Sequence, residues 1–472
     1  MVNRGRPSKD CFPCRKRKLR CDLRIEGCGQ CERAKIRCHG FRDPIELAFR
    51  DESHAVEQKV TGRQLARTRV ESAALQPGWD VRSREAFFSI YVSRLSRSCD
   101  ALIPLYSRAS VSGILSASID TVSLALMSTQ LNSWELLKSA RLQYVIAIKK
   151  LRRSLQVPGM CASDEALQSV LLLDLYEKMV NRDPRRSASW MSHIQGAMSL
   201  VSSRGSGGLS GSIACKLSSR VAIKLMISCG VNNVPIPAEL ISLRKRLDSS
   251  MGDLEWDFTA LVVDVVNLRE SIRNGGHNCT TVLAQRVKGL DSRLNNLDMA
   301  LLQSCAIRRV FLTDNHPYVF DNYYDIYPDH SITQTWNAIR MMRLELYSIL
   351  RAYPDGYNSR FKVKASDTFR QITHRICASA PQFILPNARD ENSSNFSPLQ
   401  KLQCNTLLTP LFLASQLSAD HRMQHWIQNI MLHIAEAGNL MVAKEISEVS
   451  RINPDTDYWT VYAMTGCYAL AA

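Results

Sequence analysis

The chain has 472 residues, of which 45% are hydrophobic and 22% are charged, a balance typical of a folded protein. Residues 1–50 hold 14 Lys and Arg against 6 Asp and Glu, which is half of the net charge of +16. No apolar run approaches the roughly 18–20 residues of a membrane span, and no apolar segment follows the first basic residues as in a secretory signal. We therefore expect an intracellular protein with one small and one large domain, whose basic N-terminal region binds a polyanion.

Cysteines form an internal repeat near the N-terminus. Six of the fifteen lie within 28 residues in two C-x2-C-x6-C halves: Cys11, Cys14, Cys21, Cys28, Cys31 and Cys38. Aligning CFPCRKRKLRC with CGQCERAKIRC also places Lys18 on Lys35. A reducing compartment keeps such thiols free, so their clustering indicates a metal rather than disulfides. The repeat predicts a pseudo-twofold module of two short helical turns held by metal.

The number of ligands indicates which metal centre this module holds. Two separate tetrahedral zinc ions would need eight donors, and a single zinc would leave two thiols unused and break the symmetry. A RING or LIM domain would also need eight, to which His39 adds at most one. Two Zn²⁺ that share two thiolates give each metal four sulfur ligands, and symmetry makes Cys11 and Cys28 the simplest bridges. Metal binding must then supply the folding free energy, because the module is too small for an apolar core.

The residues CFPCRKRKLRCDLRIEGCGQCERAKIRC, at positions 11–38, resemble the fungal binuclear zinc cluster transcription factors. The resemblance rests on the cysteine spacing, the basic run after the second cysteine and the Asp after the third. One departure is visible in the loop before the fourth cysteine, which commonly carries a proline and here reads Arg24-Ile-Glu-Gly27. Gly27 can supply a permissive turn in its place.

The basic run lies on or just past the first short helix, and the resemblance implies that this helix end enters the major groove of DNA. Lys18, three residues before the third cysteine, is then the main reader of a CGG-type triplet, and its ammonium suits guanine O6 and N7. Arg17 is expected to contact a second base. Three further residues are expected to contact phosphates: Arg15, Lys16 and Arg20. Lys35 and Arg37, the equivalents of Lys18 and Arg20 in the second half of the repeat, are then expected to face away from the DNA or to touch its backbone.

The flanking segments carry weaker patterns. Arg4-Gly-Arg-Pro7 has the core of a minor-groove AT-hook, with a plain basic arm as the alternative, and the run from Arg15 to Arg20 could also serve nuclear import. In the linker, a helix is expected to begin at about Pro44. The apolar positions Phe49, Val56 and Val60 give about two heptads, which is fewer than a coiled coil needs. The sequence therefore leaves open whether the chain forms a homodimer.

The large region repeats apolar residues at intervals of three and four, which predicts an all-α domain. The clearest helices are expected at Trp134–Leu155, Glu165–Val180 and Ile332–Tyr353. Loops are expected at 204–212 and 387–397. Two segments, DEALQSVLLLDLYE (164–177) and WMSHIQGAMSLVSSRG (190–205), resemble neighbouring helices of the fungal-specific transcription factor domain that accompanies this zinc cluster. The resemblance thus spans the chain to residue 205, and more loosely to its end.

No catalytic pattern is found in the large region. His193 lies on an expected helix beside the apolar stripe Trp190, Ile194, Ala197 and Val201, so we expect a packing or surface histidine. His277, His316 and His374 have no Cys, Ser or acid at motif spacing. The nine remaining cysteines, such as Cys99, Cys229 and Cys377, are isolated, and we expect most to be small buried hydrophobes. The sequence predicts a protein that is not an enzyme.

Taken together, these patterns predict a nuclear, zinc-dependent, sequence-specific DNA-binding regulator of RNA polymerase II genes. Its expected parts are a Zn(2)-Cys(6) module with a basic arm (1–42), a linker (43–80) and an all-α regulatory domain (81–472). Expected partners are double-stranded DNA and the transcription machinery or co-regulators, with no membrane. One alternative is a zinc-stabilised basic adaptor that binds nucleic acid without base specificity. A second makes the helical domain a ligand-gated sensor or catalytic unit.

Overall fold

The computed structural model describes residues 8–41, 77–96, 99–110, 113–181, 189–204, 211–275, 280–352 and 359–466. The chain divides into two compact units, Met1–Pro77 and Gly78–Ala472. Three sequence expectations lie outside the described residues: the AT-hook-like Arg4–Pro7, the helix from about Pro44, and the heptad positions Phe49, Val56 and Val60.

The small unit contains two five-residue helices, α1 (Phe12–Lys16) and α2 (Gly29–Arg33). Each helix follows a cysteine with extended backbone, and each ends in a Schellman motif. In this motif the Leu19 N–H donates to the Cys14 carbonyl at 2.9 Å, and the Ile36 N–H to the Cys31 carbonyl at 3.1 Å. The expected pair of short helical turns is therefore present, with matching ends in both halves of the repeat.

The large unit is helical over most of its described length. The helices of its first half are α3 (Trp79–Ala86), continued by a π-helix (Phe87–Leu95), α4 (Leu102–Tyr106), α5 (Ile114–Leu131), α6 (Trp134–Ser154), α7 (Asp164–Val180), α8 (Ser189–Ser203) and α9 (Ser212–Asn232). Those of its second half are α10 (Ala238–Leu247), α11 (Leu254–Arg273), α12 (Thr280–Ser304), α13 (His330–Ala352), α14 (Ser359–Ser379), α15 (Pro381–Ile384), α16 (Pro398–Leu417), α17 (His421–Ala437), α18 (Met441–Ile452) and α19 (Tyr458–Met464). Short 3₁₀ turns lie at Met160–Ala162 and Phe320–Asn322. The prediction of a largely helical region is confirmed.

A two-stranded hairpin is the departure from the all-α expectation. β1 (Arg308–Phe311) pairs antiparallel with β2 (Tyr323–Ile326), and the Arg309 guanidinium donates to the Asp325 carboxylate across the strands at 2.7 Å. Strands of four residues are too short for an alternating pattern to separate them from the surrounding loops. The hairpin therefore left no periodic signal in the sequence.

Helix α5 corrects the expectation that no apolar run is long enough to span a membrane. Ile114–Leu131 is 18 residues long with a mean hydropathy of 1.2, so its length and composition would suffice. Within the large unit, however, 72% of this stretch is buried. The buried Ser118 and Thr121 hydroxyls donate to backbone carbonyls four residues earlier on the same helix. The helix is therefore part of the folded core.

Candidate metal centre and nucleic-acid interface

The six cysteines of the repeat gather their sulfur atoms into two groups of four. One group is Cys11, Cys14, Cys21 and Cys28, and the other is Cys11, Cys28, Cys31 and Cys38, with the sulfurs of each group within 4.8 Å of one another. The groups share Cys11 and Cys28, the two cysteines that symmetry predicts as bridges. Their sulfurs lie 3.7 Å apart, and the Cys14 and Cys28 sulfurs lie 3.6 Å apart. Sulfurs about 2.3 Å from a tetrahedral zinc are separated by about 3.8 Å, so the donor set fits two zinc ions with two shared thiolates.

Burial governs the protonation of these thiols. Cys14 and Cys31 are fully buried, and burial raises the pKa of each thiol to about 12. Burial also acts to raise the pKa of Cys28, but hydrogen bonds from Cys31, Cys14 and Cys11 lower it to about 6. Cys14 and Cys31 therefore resist ionisation, and a bound dication would supply the charge that holds them as thiolates.

Two side chains accept hydrogen bonds from backbone N–H groups at the start of α2 and so position this helix. The Asp22 carboxylate accepts the Gly29 N–H at 3.0 Å, and the Cys38 sulfur accepts the Cys28 N–H at 3.4 Å. Gly27 has a φ of +131°, which L-residues with a side chain rarely adopt. The turn that a proline commonly provides in the family is made here by a glycine. Sequence reasoning noted the Asp after the third cysteine but not its role at the start of α2.

The expected DNA-binding residues lie along the end of α1. Arg15 and Lys16 are in its last turn, Arg17 is the C-cap residue, and Lys18 follows with a left-handed φ of +53°. The side chains of Lys16, Arg17, Lys18 and Arg20 are exposed, whereas Arg15 is half-buried with its guanidinium 5.8 Å from the centre of the Phe12 ring. Four exposed cations thus follow one another along a five-residue segment, as contact with a polyanion requires.

The second half of the repeat presents its lysine in the same way. Lys35 also has a φ of +53° and is exposed after the C-cap of α2. The residues before it are Glu32, Arg33 and Ala34, in place of the three consecutive cations that precede Lys18. The backbone is therefore alike in both halves, and the local charge is what differs.

Packing, hydrogen bonds and an ion pair hold the histidines and cysteines that the sequence singled out in the large unit. Trp190, Ile194, Ala197 and Val201 are buried, as expected for the stripe beside His193. The His193 Nε2 atom lies 2.8 Å from the Tyr144 hydroxyl, which donates to the Glu177 carboxylate, and burial lowers the pKa of His193. Two other histidines also have partners. The His316 Nδ1 accepts the Tyr318 N–H, and His374 forms an ion pair with Asp321 at 3.0 Å. Cys99, Cys229 and Cys377 are buried, and His277 lies outside the described residues.

Comparison with known families matches both parts of the chain. Residues 9–47 match the fungal Zn(2)-Cys(6) binuclear cluster domain, and residues 84–233 match the fungal specific transcription factor domain. The chain has the two domains of a fungal Zn(2)-Cys(6) transcription factor. The zinc domain of this regulator binds two zinc ions and DNA, and the family implies a nuclear role. Neither the search of curated proteins nor that of solved structures gives a match.

The match in the large unit covers the first part of the expected regulatory domain. It ends at residue 233, within one residue of the end of α9, whereas the expected regulatory domain runs to 472. Residues beyond 233 belong to the same compact unit, so they complete the core around the matched helices.

Proposed function

We propose that this regulator acts in the nucleus on RNA polymerase II genes and binds CGG-type triplets through the end of α1. The proposal assigns all six cysteines of the repeat as zinc ligands, with Cys11 and Cys28 as bridges. Lys18 is assigned to a guanine edge and Arg17 to a second base. Arg15, Lys16 and Arg20 are assigned to phosphates. Residues 1–42 would bind DNA, 43–80 would link the units, and 81–472 would regulate.

The sharing of two sulfurs between two four-sulfur groups is the observation that carries this proposal. Shared thiolates join the two halves of the repeat through the metals, so the end of α1 is held rigidly without an apolar core. Six thiolates and two zinc ions add about −2 to residues 1–50, which leaves a net charge of about +6. The module therefore stays strongly cationic after metal binding and retains its attraction for phosphates.

Sequence selection from random DNA duplexes tests the assignment of base contacts. The zinc-loaded full chain should enrich CGG-like triplets, and the same chain treated with a chelator should enrich nothing. Binding without sequence preference would contradict the proposal and would favour a zinc-stabilised adaptor that recognises only the nucleic-acid backbone. Elemental analysis in the same preparation should give two zinc ions per chain.

The assembly on DNA can be determined from the same experiment. A pair of enriched triplets at fixed spacing would indicate a homodimer, because the spacing of half-sites mirrors the symmetry of the protein. A single triplet, together with a monomer mass in light scattering, would indicate that the chain binds alone. Contacts with co-regulators are assigned to the large unit, and capture from nuclear extract by the DNA-bound chain tests them.

A further inference from the structure

Helix α6 of the large unit has an exposed apolar stripe. Leu142 is 70% exposed, Val145 is 48% exposed and Ile146 is 44% exposed. Spacings of three and four residues place these side chains beside one another on one face of the helix. With Trp134, four exposed large hydrophobic side chains lie on α6, whereas no other helix carries more than two over its described residues. Single exposed hydrophobic residues are ordinary, but a contiguous group indicates a contact surface.

Basic residues follow this stripe toward the end of the helix. Lys149 lies one turn after the stripe, and Arg152 and Arg153 lie one turn further on, in the last turn. All three are exposed, and none of them forms an ion pair with another residue that the structure describes. We call the stripe and these cations together the α6 face: Leu142, Val145, Ile146, Lys149, Arg152 and Arg153.

The cations in the first half of α6 have partners on the helix itself. The Lys138 ammonium donates to the Glu135 carboxylate at 3.0 Å and lies 5.7 Å from the centre of the Trp134 ring. The Arg141 guanidinium lies 5.0 Å from the same ring centre. Glu135 is the single acid of α6, against six Lys and Arg. The unbalanced positive charge is therefore concentrated at the C-terminal end of the helix, next to the apolar stripe.

Three possible occupants of the α6 face fit it poorly. A second copy of the chain would set the same cations against each other, so a symmetric contact through this face would be repulsive. A phosphate backbone would balance the charge but offers no apolar side chains to the stripe. A helix at a membrane surface inserts its main apolar side, whereas that side of α6 packs in the core through residues such as Leu136 and Leu151.

From this arrangement we infer that the α6 face binds an acidic amphipathic helix of a co-regulator. The partner packs aliphatic side chains, spaced by three and four residues, on Leu142, Val145 and Ile146. Its Asp and Glu side chains lie beyond the aliphatic ones and pair with the cations at the end of α6. The apolar contact supplies affinity, and the complementary charge selects the partner. The contact rests on the proposed function, in which the large unit binds co-regulators.

Fluorescence anisotropy with labelled peptides and the zinc-loaded full chain tests the inference. The probe is a helical peptide of about 15 residues with Leu residues spaced by three and four and with Asp and Glu at one end. It should bind, and should bind more weakly as salt is raised, because exposed charge pairs are screened. The same peptide with Asn and Gln in place of the acids should bind at least about tenfold more weakly. No binding of the acidic peptide, or equal binding of the two peptides, would overturn the inference.

Two pairs of variants locate the binding on the α6 face. Arg153→Glu should weaken binding of the acidic peptide at least about threefold, because an attraction becomes a repulsion. Lys245→Glu is its control, since it reverses an exposed cation in the last turn of α10 and should leave binding unchanged. Leu142→Gln should weaken binding at least about fivefold, whereas Val282→Gln, at an exposed position on α12, should not. Unchanged affinity in both α6 variants, or equal losses in the controls, would overturn the inference.

Duplex and vesicle binding separate this contact from the alternatives. Arg153→Glu should bind a CGG-type duplex as the natural chain does, so a loss of duplex binding would make the α6 face a phosphate contact and overturn the inference. Displacement of the acidic peptide by phosphatidylserine vesicles would make it a membrane contact and overturn the inference as well. The peptide titration contains no DNA. Failure to select CGG-like triplets would therefore contradict the proposed function, whereas failure to bind the acidic peptide would contradict the α6 contact alone.

Discussion

Replacing Lys18 and Lys35 separately by glycine separates the fold of the zinc module from its reading of DNA. Both lysines have a φ of +53° in equivalent Schellman motifs. A residue with a side chain in the left-handed region destabilises the fold by about 1–2 kcal/mol, which glycine would relieve. Glycine also makes the unfolded chain more flexible, and this offsets about 0.4–1 kcal/mol of the relief. Each substitution should therefore stabilise the zinc-loaded module, by about 0.5–1 kcal/mol. The chelator concentration that releases half of the zinc measures this.

The two variants should differ on DNA. Lys18→Gly should lose about 1–3 kcal/mol of binding to a CGG-type duplex, because the ammonium that meets a guanine edge is gone. Lys35→Gly removes the same charge and changes the backbone in the same way, but should lose no more than about 0.5 kcal/mol. Fluorescence anisotropy with a CGG-type duplex and a scrambled duplex measures both losses. The difference between the variants isolates the base contact from charge and backbone effects.

Two results would refute this reasoning. If Lys35→Gly weakened binding to the CGG-type duplex as strongly as Lys18→Gly, the assignment of the reader to one half of the repeat would be wrong. If both variants released zinc more easily than the natural chain, the left-handed lysines would not be a source of strain.

Three further substitutions have defined outcomes. Cys28→Ser should release both zinc ions, because Cys28 belongs to both four-sulfur groups, and a variant that kept one zinc per chain by elemental analysis would contradict its role as a bridge. Arg20→Ala should weaken binding to all duplexes alike and reduce the salt dependence of binding by about one phosphate contact, so a selective loss on CGG would contradict it. Gly230→Ala should destabilise the large unit by about 1–3 kcal/mol in urea unfolding, because its Cβ would lie 2.6 Å from the buried ring of Trp459. Gly196→Ala is the matched control: nothing lies within 4 Å of its Cβ, so it should stabilise α8 by up to about 1 kcal/mol, and equal effects of the two substitutions would refute the clash.

Features carried by neighbouring residues could be predicted from the sequence. The sulfur cluster is one of these, since all six cysteines lie within 28 residues and their spacing repeats. Long helices are another: the periodic segment expected at Trp134–Leu155 forms a helix over Trp134–Ser154, and that expected at Glu165–Val180 forms one over Asp164–Val180. In the first of these helices the buried positions, Leu136, Ala140, Ala147 and Leu151, follow the helical period.

Features that depend on distant residues could not be predicted in this way. The hydrogen bond between Asn132 and Asn439 joins positions 307 residues apart and brings the end of α5 beside the start of α18. Neither asparagine belongs to a recognisable motif. The left-handed lysines show a second limit, because the pattern that aligned Lys18 with Lys35 contains no information about their backbone angle. Only the shared Schellman motif explains why both adopt it.

The two units draw their folding free energy from different sources. Among residues 8–41 the buried cluster of the small unit consists of cysteines, whereas Ile25 is 91% exposed and Phe12 is 59% exposed. These described residues bury too little apolar surface to fold without metal. The large unit instead buries continuous apolar faces, such as that of α5. Loss of zinc should therefore unfold the small unit and abolish its DNA binding, whereas the large unit, with its apolar core, should stay folded.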